Sequence, residues 1–456
     1  MNAVRTALKI DDLDDLDDLV ALVTATEFDA GDERALTLVL ADFLACVEAS
    51  FESEKSTGAR FGDTASGLDE VVSELAVRSC LGDRDDIDWR GTVHPGSIVW
   101  PVALALASDL DADGPTLLAA AVAGYRATTA LAQLLGSAHA ARYHPTGVAG
   151  AFGAAVTAGT LLRLEHDELV AASAHAVSAA GGLGQAALER SRSMVFHRVA
   201  ATSTGLHAAR FAARGFSGSR HVLDGPRGAF SILGGGATTS GSSTLGELDL
   251  APSGISVRIF PVNGFVQAVV ALAAAAGVQA RNLGGRRASD DGRSDSHLEI
   301  EVGITAGVIP AVSGEHGGDW WDIRSAVASA YLSGDPFDLA LSPDARALRH
   351  RVIVRAAELP VGYGQLRIGA VARMSAAPVD DAPREDASSA VTPPPGLDIG
   401  SEATRSLLAT KWSRMLSDPG APQRLVGEAS ALLSEGGDRV PQALVSSMRR
   451  DRTSDL

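Results

Sequence analysis

Apolar residues recur at helical spacing through most of the first half of the chain. The Ala- and Leu-rich segments with this period are 34–48, 69–78, 99–107, 115–135, 148–162, 166–180 and 200–214. Several of them carry Gly, Pro or Asp near a boundary, as helix ends commonly do. The pattern therefore predicts a mostly α-helical large domain, in which the many alanines allow neighbouring helices to approach closely.

The pattern changes after residue 262. One more Ala-rich helix is predicted over 265–281, and a polar stretch separates it from runs that alternate as strands do. These runs are 297–304, 350–355 and 364–374, with a helix predicted at 323–332. The sequence therefore predicts a smaller α+β domain over residues 263–397.

Two segments flank these predicted domains. Residues 378–397 are rich in Pro, Ser and Asp without an apolar period, which is typical of a mobile linker. Helical periodicity returns at 402–415 and 422–434, so we expect residues 398–456 to complete the helical domain formed by residues 1–262. The first twenty residues repeat Asp-Asp-Leu three times, which favours a solvated helical face or a frayed arm.

The charge of the chain excludes several classes of protein. With 39 Lys+Arg against 56 Asp+Glu the formal net charge is −17, which would repel the phosphate backbone of a nucleic acid. The only lysines are Lys9, Lys55 and Lys411, so positions 56–410 contain no amine side chain. This excludes lysine Schiff-base chemistry, pyridoxal attachment and a phosphate-loop lysine from the main body of the chain.

The expected location is cytoplasmic. The N-terminus turns acidic where the apolar core of a secretory signal would have to follow. The two cysteines, Cys46 and Cys80, have no CxxC partner and fit a reducing compartment. Long uncharged stretches at 143–162 and 169–188 contain mostly Ala and Gly with His, Ser and Thr, so we interpret them as buried helices and expect no membrane association.

Two histidines stand in matching surroundings. His94 and His144 each precede a proline and small residues that open an apolar helix. A helix N-terminus favours a bound anion and tends to lower the pKa of an imidazole. Two such helix starts would suit a carboxylate substrate.

Several motifs, in order along the chain, carry a resemblance. HPTGVAGAFGAA begins at residue 144, GLHAARFAARGFSG at 205 and VLDGPRGAF at 222. Together with the acidic run before His94, the pair Gly124-Tyr125 and Ile-Phe-Pro at 259–261, they resemble the MmgE/PrpD family. The resemblance implies a large helical domain, a smaller α+β lid domain, a cleft between them and a homodimer. It also implies chemistry on a small carboxylate with neither a metal nor an organic cofactor.

The resemblance assigns site residues position by position. It places catalytic groups at Asp83, His94 and His144, and it keeps a histidine at His197, with Arg192 nearby. Two family lysines fall on Met194 and Arg258, a family histidine falls on Asn263, and the tyrosine of the lid falls on Ser325. Arg258 would clamp a carboxylate bidentately but is a poor general acid or base. Loss of the lysines implies a substrate with fewer carboxylates, or a more apolar one.

The resemblance favours a lyase or isomerase that abstracts or donates a proton α to a carboxylate, with dehydration as the first choice. Decarboxylation and epimerisation stay open, because both begin or end with a proton at the same kind of carbon. A member with reduced catalysis that binds a small acid or a protein is a further alternative. A hydrolytic metalloenzyme built on Asp83, His94 and His144 is the least favoured.

Overall fold

The structure is a computed structural model that describes residues 16–25, 27–57, 67–189, 191–234, 248–284, 299–304, 306–313, 322–357, 362–363, 366–367, 370–373, 389–392, 396 and 398–435. In the part described up to residue 234, helices follow one another with a single two-residue strand, β1 (Asp86–Ile87). They are α1 (Leu16–Val23), α2 (Ala30–Thr57), α3 (Leu68–Cys80), α4 (Gly96–Leu110), α5 (Gly114–Ala140), α6 (Pro145–Leu161), α7 (His166–Ala179), α8 (Gln185–Leu188), α9 (Ser193–Ala212) and α10 (Ala229–Ile232).

Helix α6 lies at the centre of this helical part. It packs against α4, α5, α7 and α9, and every residue in it except Thr160 is buried. A Cβ added to Gly124 of α5 would lie 2.0 Å from Oγ1 of Thr157, and one added to Gly153 would lie 1.9 Å from Oγ1 of Thr128. Only glycine permits this approach between α5 and α6. The predicted mostly helical large domain is confirmed.

The second part of the chain mixes helices and strands. Its elements are β2 (Ser256–Val257), α11 (Gln267–Gly284), β3 (Ile300–Ile304), α12 (Ile309–Val312), α13 (Ile323–Ser333), α14 (Pro343–Leu348), β4 (Val352–Ala356), β5 (Gly362–Tyr363), β6 (Leu366–Arg367), β7 (Ala370–Arg373) and β8 (Ser389–Thr392). Four strands form a sheet in the order β4-β3-β7-β8. The pair β3/β4 is parallel, with Ile300 opposite Val352, and the pairs β3/β7 and β7/β8 are antiparallel. Helix α11 packs against α13 and β7.

The last two helices return to the helical part. Helix α15 (Glu402–Met415) and helix α16 (Ala421–Glu435) both pack on α2, and α16 also contacts α5. The described C-terminal helices therefore pack on helices from the first part of the chain.

Two expectations need correction. Residues 16–23 of the acidic N-terminal segment are helix α1 and not a frayed arm: Asp18 is exposed, and the apolar side is buried against α5 and α7 through Leu16, Leu19, Val20 and Val23. Within the expected linker 378–397, Ser389–Thr392 forms strand β8, because these small and β-branched residues pair with β7. Most of the remaining linker lies outside the described residues.

Among the described residues one helix, Gly264–Asn282, is long and apolar enough to cross a membrane by length and composition alone, and half of its apolar window is buried. Its packing against α13 and β7 is that of a core helix in the α+β part.

Cys46 and Cys80 are buried and unpaired, and burial raises the pKa of both thiols.

Candidate active site

The acidic run between α3 and α4 lies in a turn that folds back on the second part of the chain. Gly82 and Asp83 both have positive φ, at 83° and 54°, which reverses the chain direction after α3. Strand β1 then pairs with β2, so that Asp86 lies opposite Val257. This pairing brings the carboxylates at 83–86 next to Arg258, although Arg258 is more than 170 residues away in sequence.

Two arginines neutralise two of these carboxylates inside the protein. Arg258 is buried, donates to Asp83 Oδ1 at 2.7 Å and to the Asp85 carbonyl at 3.1 Å, and pairs with the Asp85 carboxylate. Arg198 Nη2 lies 3.4 Å from Asp85 Oδ2. Burial alone would raise the pKa of Asp85, but Arg258 and Arg198 outweigh it and hold that pKa below its usual range. Asp85 is therefore ionised.

Asp86 is equally buried but lacks a cation among the described residues. Its carboxyl oxygens accept from the backbone N–H of Gly96, both at 3.0 Å, and from the Tyr125 hydroxyl at 2.9 Å. Burial, and then the charge of Asp85, raise the pKa of Asp86 to about 8. Asp86 is therefore mostly protonated at neutral pH.

The ring and the backbone of His94 are each held by a hydrogen bond. Its Nδ1 lies 2.6 Å from the Asp86 carbonyl, which can only accept, so Nδ1 carries the proton and Nε2 is left as the basic nitrogen. Its backbone N–H donates to Thr146 Oγ1 in the first turn of α6. Burial and then Arg258 lower the pKa of His94 to about 3, although Asp85 lies 3.6 Å from Nδ1 and acts in the opposite direction.

His144 and His197 form a hydrogen-bonded pair. His144 is the N-cap residue of α6, and its Nδ1 lies 3.2 Å from Nδ1 of His197 on α9. Burial, followed by Arg198, lowers the pKa of both imidazoles. His144 is 6 % exposed, and its Nε2 has no hydrogen-bond partner among the described residues. A buried ring nitrogen without a partner is costly unless a ligand or water satisfies it.

A cavity of about 530 Å³ opens beside this pair. His197 lines it together with Gly147 from the first turn of α6 and Ser193 from the first turn of α9. The N-termini of two long helices therefore meet at the cavity, and both favour a bound anion. In the described part of the chain, no set of three or more His, Cys, Asp and Glu side chains has the arrangement of a metal site.

The other predicted residues have different surroundings. Arg258 is bound to the protein's own Asp83 and Asp85, so its interpretation as a free carboxylate clamp needs correction. Asn263 caps the turn 264–266 by accepting from the Phe265 N–H, and Ser325 on α13 hydrogen-bonds Asp322 and Arg349. Neither is brought to the histidines by a hydrogen bond.

Two residues at the start of α9 remain to be placed. Arg192 is the exposed N-cap residue of α9, and the Met194 carbonyl accepts from Arg198. The Met194 side chain is half-buried.

Sequence reasoning missed three residues that the structure places in this cluster. Asp85 stands beside His94 where Asp83 was expected, Asp86 holds His94 through its carbonyl, and Arg198 supplies a buried cation. The available signals were the acidic run itself and the arginine directly after His197.

Comparison with known families gives a match over the part of the chain that carries these residues. Residues 76–241 match the model of the MmgE/PrpD N-terminal domain, and this range contains Asp83, the three histidines and Arg198. Comparison with curated proteins finds no match to the chain. The MmgE/PrpD family consists of lyase- and isomerase-type enzymes and includes hydro-lyases such as 2-methylcitrate dehydratase. Residues 76–241 therefore correspond to an MmgE/PrpD N-terminal domain, which supports membership of the chain in the MmgE/PrpD family.

Proposed function

We propose that this protein is a cofactor-independent lyase or isomerase that moves a proton at the carbon next to a carboxylate, with dehydration of a small or modified hydroxy acid as its reaction. The observation that carries the proposal is the His144–His197 pair, with ring nitrogens 3.2 Å apart, at the wall of a cavity where two helices begin. His94 lies next to the first turn of α6, where its backbone N–H donates a hydrogen bond to Thr146 Oγ1.

The protonation states suit proton abstraction. The lowered pKa values keep all three imidazoles neutral at pH 7, which is the form that accepts a proton. His197 faces the cavity and would take the α-proton, and His144 would share the resulting charge through the Nδ1–Nδ1 contact. The enolate-like charge left on the substrate would be stabilised by the N-termini of α6 and α9.

The second half of the dehydration needs a proton donor. As the C–O bond breaks, the electron pair of the α-carbon forms the double bond and the hydroxyl leaves as water after receiving a proton. The imidazolium formed when His197 takes the α-proton would supply that proton, so that the α-hydrogen and the hydroxyl leave together as water and the His144–His197 pair returns to its neutral form. The neutral His94, whose Nδ1 is held by the Asp86 carbonyl, would accept a hydrogen bond from the leaving hydroxyl at Nε2. Asp83 would act indirectly, by helping Arg258 to hold this turn in place.

The test is exchange of α-hydrogens with solvent deuterium. A panel of hydroxy acids and 2-enoic acids is incubated with enzyme in D₂O and followed by ¹H NMR. We expect wild type to exchange at least one of them, and His94→Gln, His144→Gln and His197→Gln to lose about 10²–10⁴-fold in rate. His350→Gln, on an exposed turn of the α+β part, is the control and should match wild type.

The outcome also separates the open alternatives. Formation of an alkene and water identifies dehydration, release of CO₂ identifies decarboxylation, and inversion without loss of mass identifies epimerisation. If wild type and the three histidine variants exchange at the same background rate, the chain binds an acid or a partner without catalysis and the proposal is wrong.

We further propose that the protein is a cytoplasmic homodimer. Support comes from Phe211 and Phe216, which stack at 3.9 Å while 42 % and 50 % exposed, a pairing suited to a second apolar surface. Sedimentation of wild type should give a dimer, and Phe211→Ser with Phe216→Ser should give a monomer. A monomeric wild type would contradict this proposal.

A further inference from the structure

A short loop between α7 and α8 pairs with the backbone that leads into α6. This glycine loop, residues 182–184 with the sequence Gly-Leu-Gly, forms an isolated antiparallel bridge with the segment before α6. The His144 N–H donates to the Gly182 carbonyl at 2.9 Å, and the Gly184 N–H donates to the Arg142 carbonyl at 2.8 Å. The glycine loop therefore holds the backbone of His144, the N-cap residue of α6, in place.

The same loop lies against the ring of His197. A Cβ added to Gly182 would lie 3.3 Å from Nδ1 of His197 and 3.4 Å from Cγ of that ring. This Nδ1 is also the atom that lies 3.2 Å from Nδ1 of His144. Gly182 therefore contacts both members of the pair, because its carbonyl binds the backbone of His144 and its α-carbon lies beside the ring of His197.

The space around Gly182 excludes a side chain. Its φ is 144°, in a region that residues with a Cβ rarely adopt. On the other side of the loop, a Cβ added to Gly147 would lie 2.7 Å from the Gly181 carbonyl oxygen and 3.1 Å from Cβ of His197. Gly147 belongs to the first turn of α6. A side chain at Gly182 or Gly147 must therefore displace the loop or the His197 ring.

The histidine pair depends on such support for its geometry. His144 and His197 are 53 residues apart, one at the start of α6 and the other on α9. A displacement of about 1 Å between reacting groups can cost on the order of 10²-fold in rate. Groups that act together in catalysis therefore need neighbours that fix their spacing. Gly182 is such a neighbour, because it contacts both residues.

We propose that Gly182 is a positioning residue for the reaction, and that the glycine loop fixes the distance between the imidazoles of His144 and His197. Gly182 supplies no acid or base and acts through the two rings. The loop also lines the cavity beside His197, so the segment that holds the pair is part of the wall around the substrate. This inference rests on the proposed function, because it concerns how the same pair is held.

The first measurement needs no substrate. ¹H–¹⁵N NMR of the histidine side chains in the full-length protein should detect the hydrogen bond between the two Nδ1 atoms in wild type. Gly182→Ala should abolish this signal but keep the signals of His94, whose ring is held by the Asp86 carbonyl. Gly181→Ala is the matched control for the NMR signal, because its added Cβ meets no described atom within 4 Å. It should keep the signal of the pair.

The second measurement separates positioning from a merely structural role. Gly182→Ala should slow α-hydrogen exchange in D₂O by about 10²-fold. Added to His197→Gln, the same substitution should cause no further loss, because residues that act as a unit have non-additive effects. A glycine needed only for folding would lower the rate by the same factor in both backgrounds.

A second variant keeps the test decisive if Gly182→Ala does not fold. Gly147→Ala disturbs the same contact from within α6, where alanine is a better helix former than glycine. It should also abolish the signal of the pair and slow exchange by about 10²-fold. Thermal unfolding of each variant shows whether the protein is folded.

The outcomes distinguish this inference from the proposed function. If folded Gly182→Ala or, in its place, folded Gly147→Ala keeps the Nδ1–Nδ1 signal, the inference is wrong. Equal loss of exchange from Gly182→Ala with and without His197 also contradicts it. The proposed function fails separately, if wild type exchanges no faster than the histidine variants. In that case, loss of the signal in Gly182→Ala would still show that the loop positions the pair.

Discussion

Asp85 and Asp86 are adjacent in the chain and equally buried, but their carboxyl groups meet different partners. Asp85 lies between Arg258 and Arg198, whereas Asp86 accepts hydrogen bonds from a backbone N–H and the Tyr125 hydroxyl. The cations hold the pKa of Asp85 low, and burial beside Asp85 raises the pKa of Asp86 to about 8. One is therefore a structural anion, and the other is a neutral acid that anchors the start of α4.

This difference predicts unequal effects of the same substitution. Asp85→Asn leaves the two buried arginines with one carboxylate fewer and should lower the free energy of unfolding by about 3–5 kcal/mol. Asp86→Asn replaces a group that is already neutral at pH 7 and should cost less than about 1.5 kcal/mol. Denaturant unfolding at pH 7 measures both, and equal losses would contradict the assigned protonation states.

The raised pKa of Asp86 also predicts a pH dependence. The unfolded chain releases this proton near pH 3.8 and the folded chain near pH 8, so the folded state loses stability as pH rises between these values. Asp86→Asn removes this loss. The stability of the variant relative to wild type should therefore increase from pH 4 to pH 8 and level off above. A difference independent of pH would exclude titration of Asp86 in this range.

At the scale of the element, the first turn of α4 connects this acid to His94. His94 lies two residues before Gly96, the first residue of α4, whose N–H donates to Asp86. A Cβ added to Gly96 would lie 2.8 Å from both carboxyl oxygens of Asp86, so the acid occupies the space that a side chain would need.

A pair of glycine substitutions tests this close approach. Gly96→Ala should destabilise the protein by about 1–3 kcal/mol through overpacking, and it should shift the NMR signals of His94. Gly427→Ala, in α16, meets nothing within 4 Å and should stabilise the protein by up to about 1 kcal/mol. Thermal unfolding and imidazole NMR provide the readouts. A neutral Gly96→Ala with unchanged His94 signals would show that the turn is not tightly packed.

At the scale of the whole molecule, Lys411 joins three distant segments. Its buried Nζ lies 2.5 Å from Asp42 Oδ1 on α2 and donates to the Arg84 carbonyl at 2.6 Å. The C-terminal helix α15 thus holds the turn that carries Asp83, Asp85 and Asp86. The one lysine in the described core is structural, and it is far in sequence from the lysine positions of the family site.

Removing this lysine should affect stability and the site together. Lys411→Met leaves Asp42 buried without its cation and should cost about 3–5 kcal/mol in unfolding free energy. It should also speed amide hydrogen exchange in the turn 83–88. Arg405→Met, on the exposed side of the same helix, is the control and should change stability by less than about 0.5 kcal/mol. Unchanged exchange in the turn would show that α15 does not support it.

Local patterns predicted most of the helical fold. Both ends of α15 were predicted at 402 and 415, and the histidines at the starts of α4 and α6 followed from Pro and Gly spacing. Helix α9 begins at residue 193, seven residues earlier than predicted. The prediction missed this first part because Arg198, a charged residue, occupies a buried position that the helical pattern would assign to an apolar residue. The partners of Asp85 and Asp86 could not be predicted, because Arg258 and Tyr125 are 173 and 39 residues away.

The central claim is that the site presents neutral imidazoles as proton acceptors. The most direct measurement is long-range ¹H–¹⁵N NMR of the histidine side chains in the full-length protein at pH 7. We predict that His94 is neutral with its proton on Nδ1, held by the Asp86 carbonyl, and that His144 and His197 are neutral with a proton shared between their Nδ1 atoms. An imidazolium at His94, or a His94 proton on Nε2, would contradict the account.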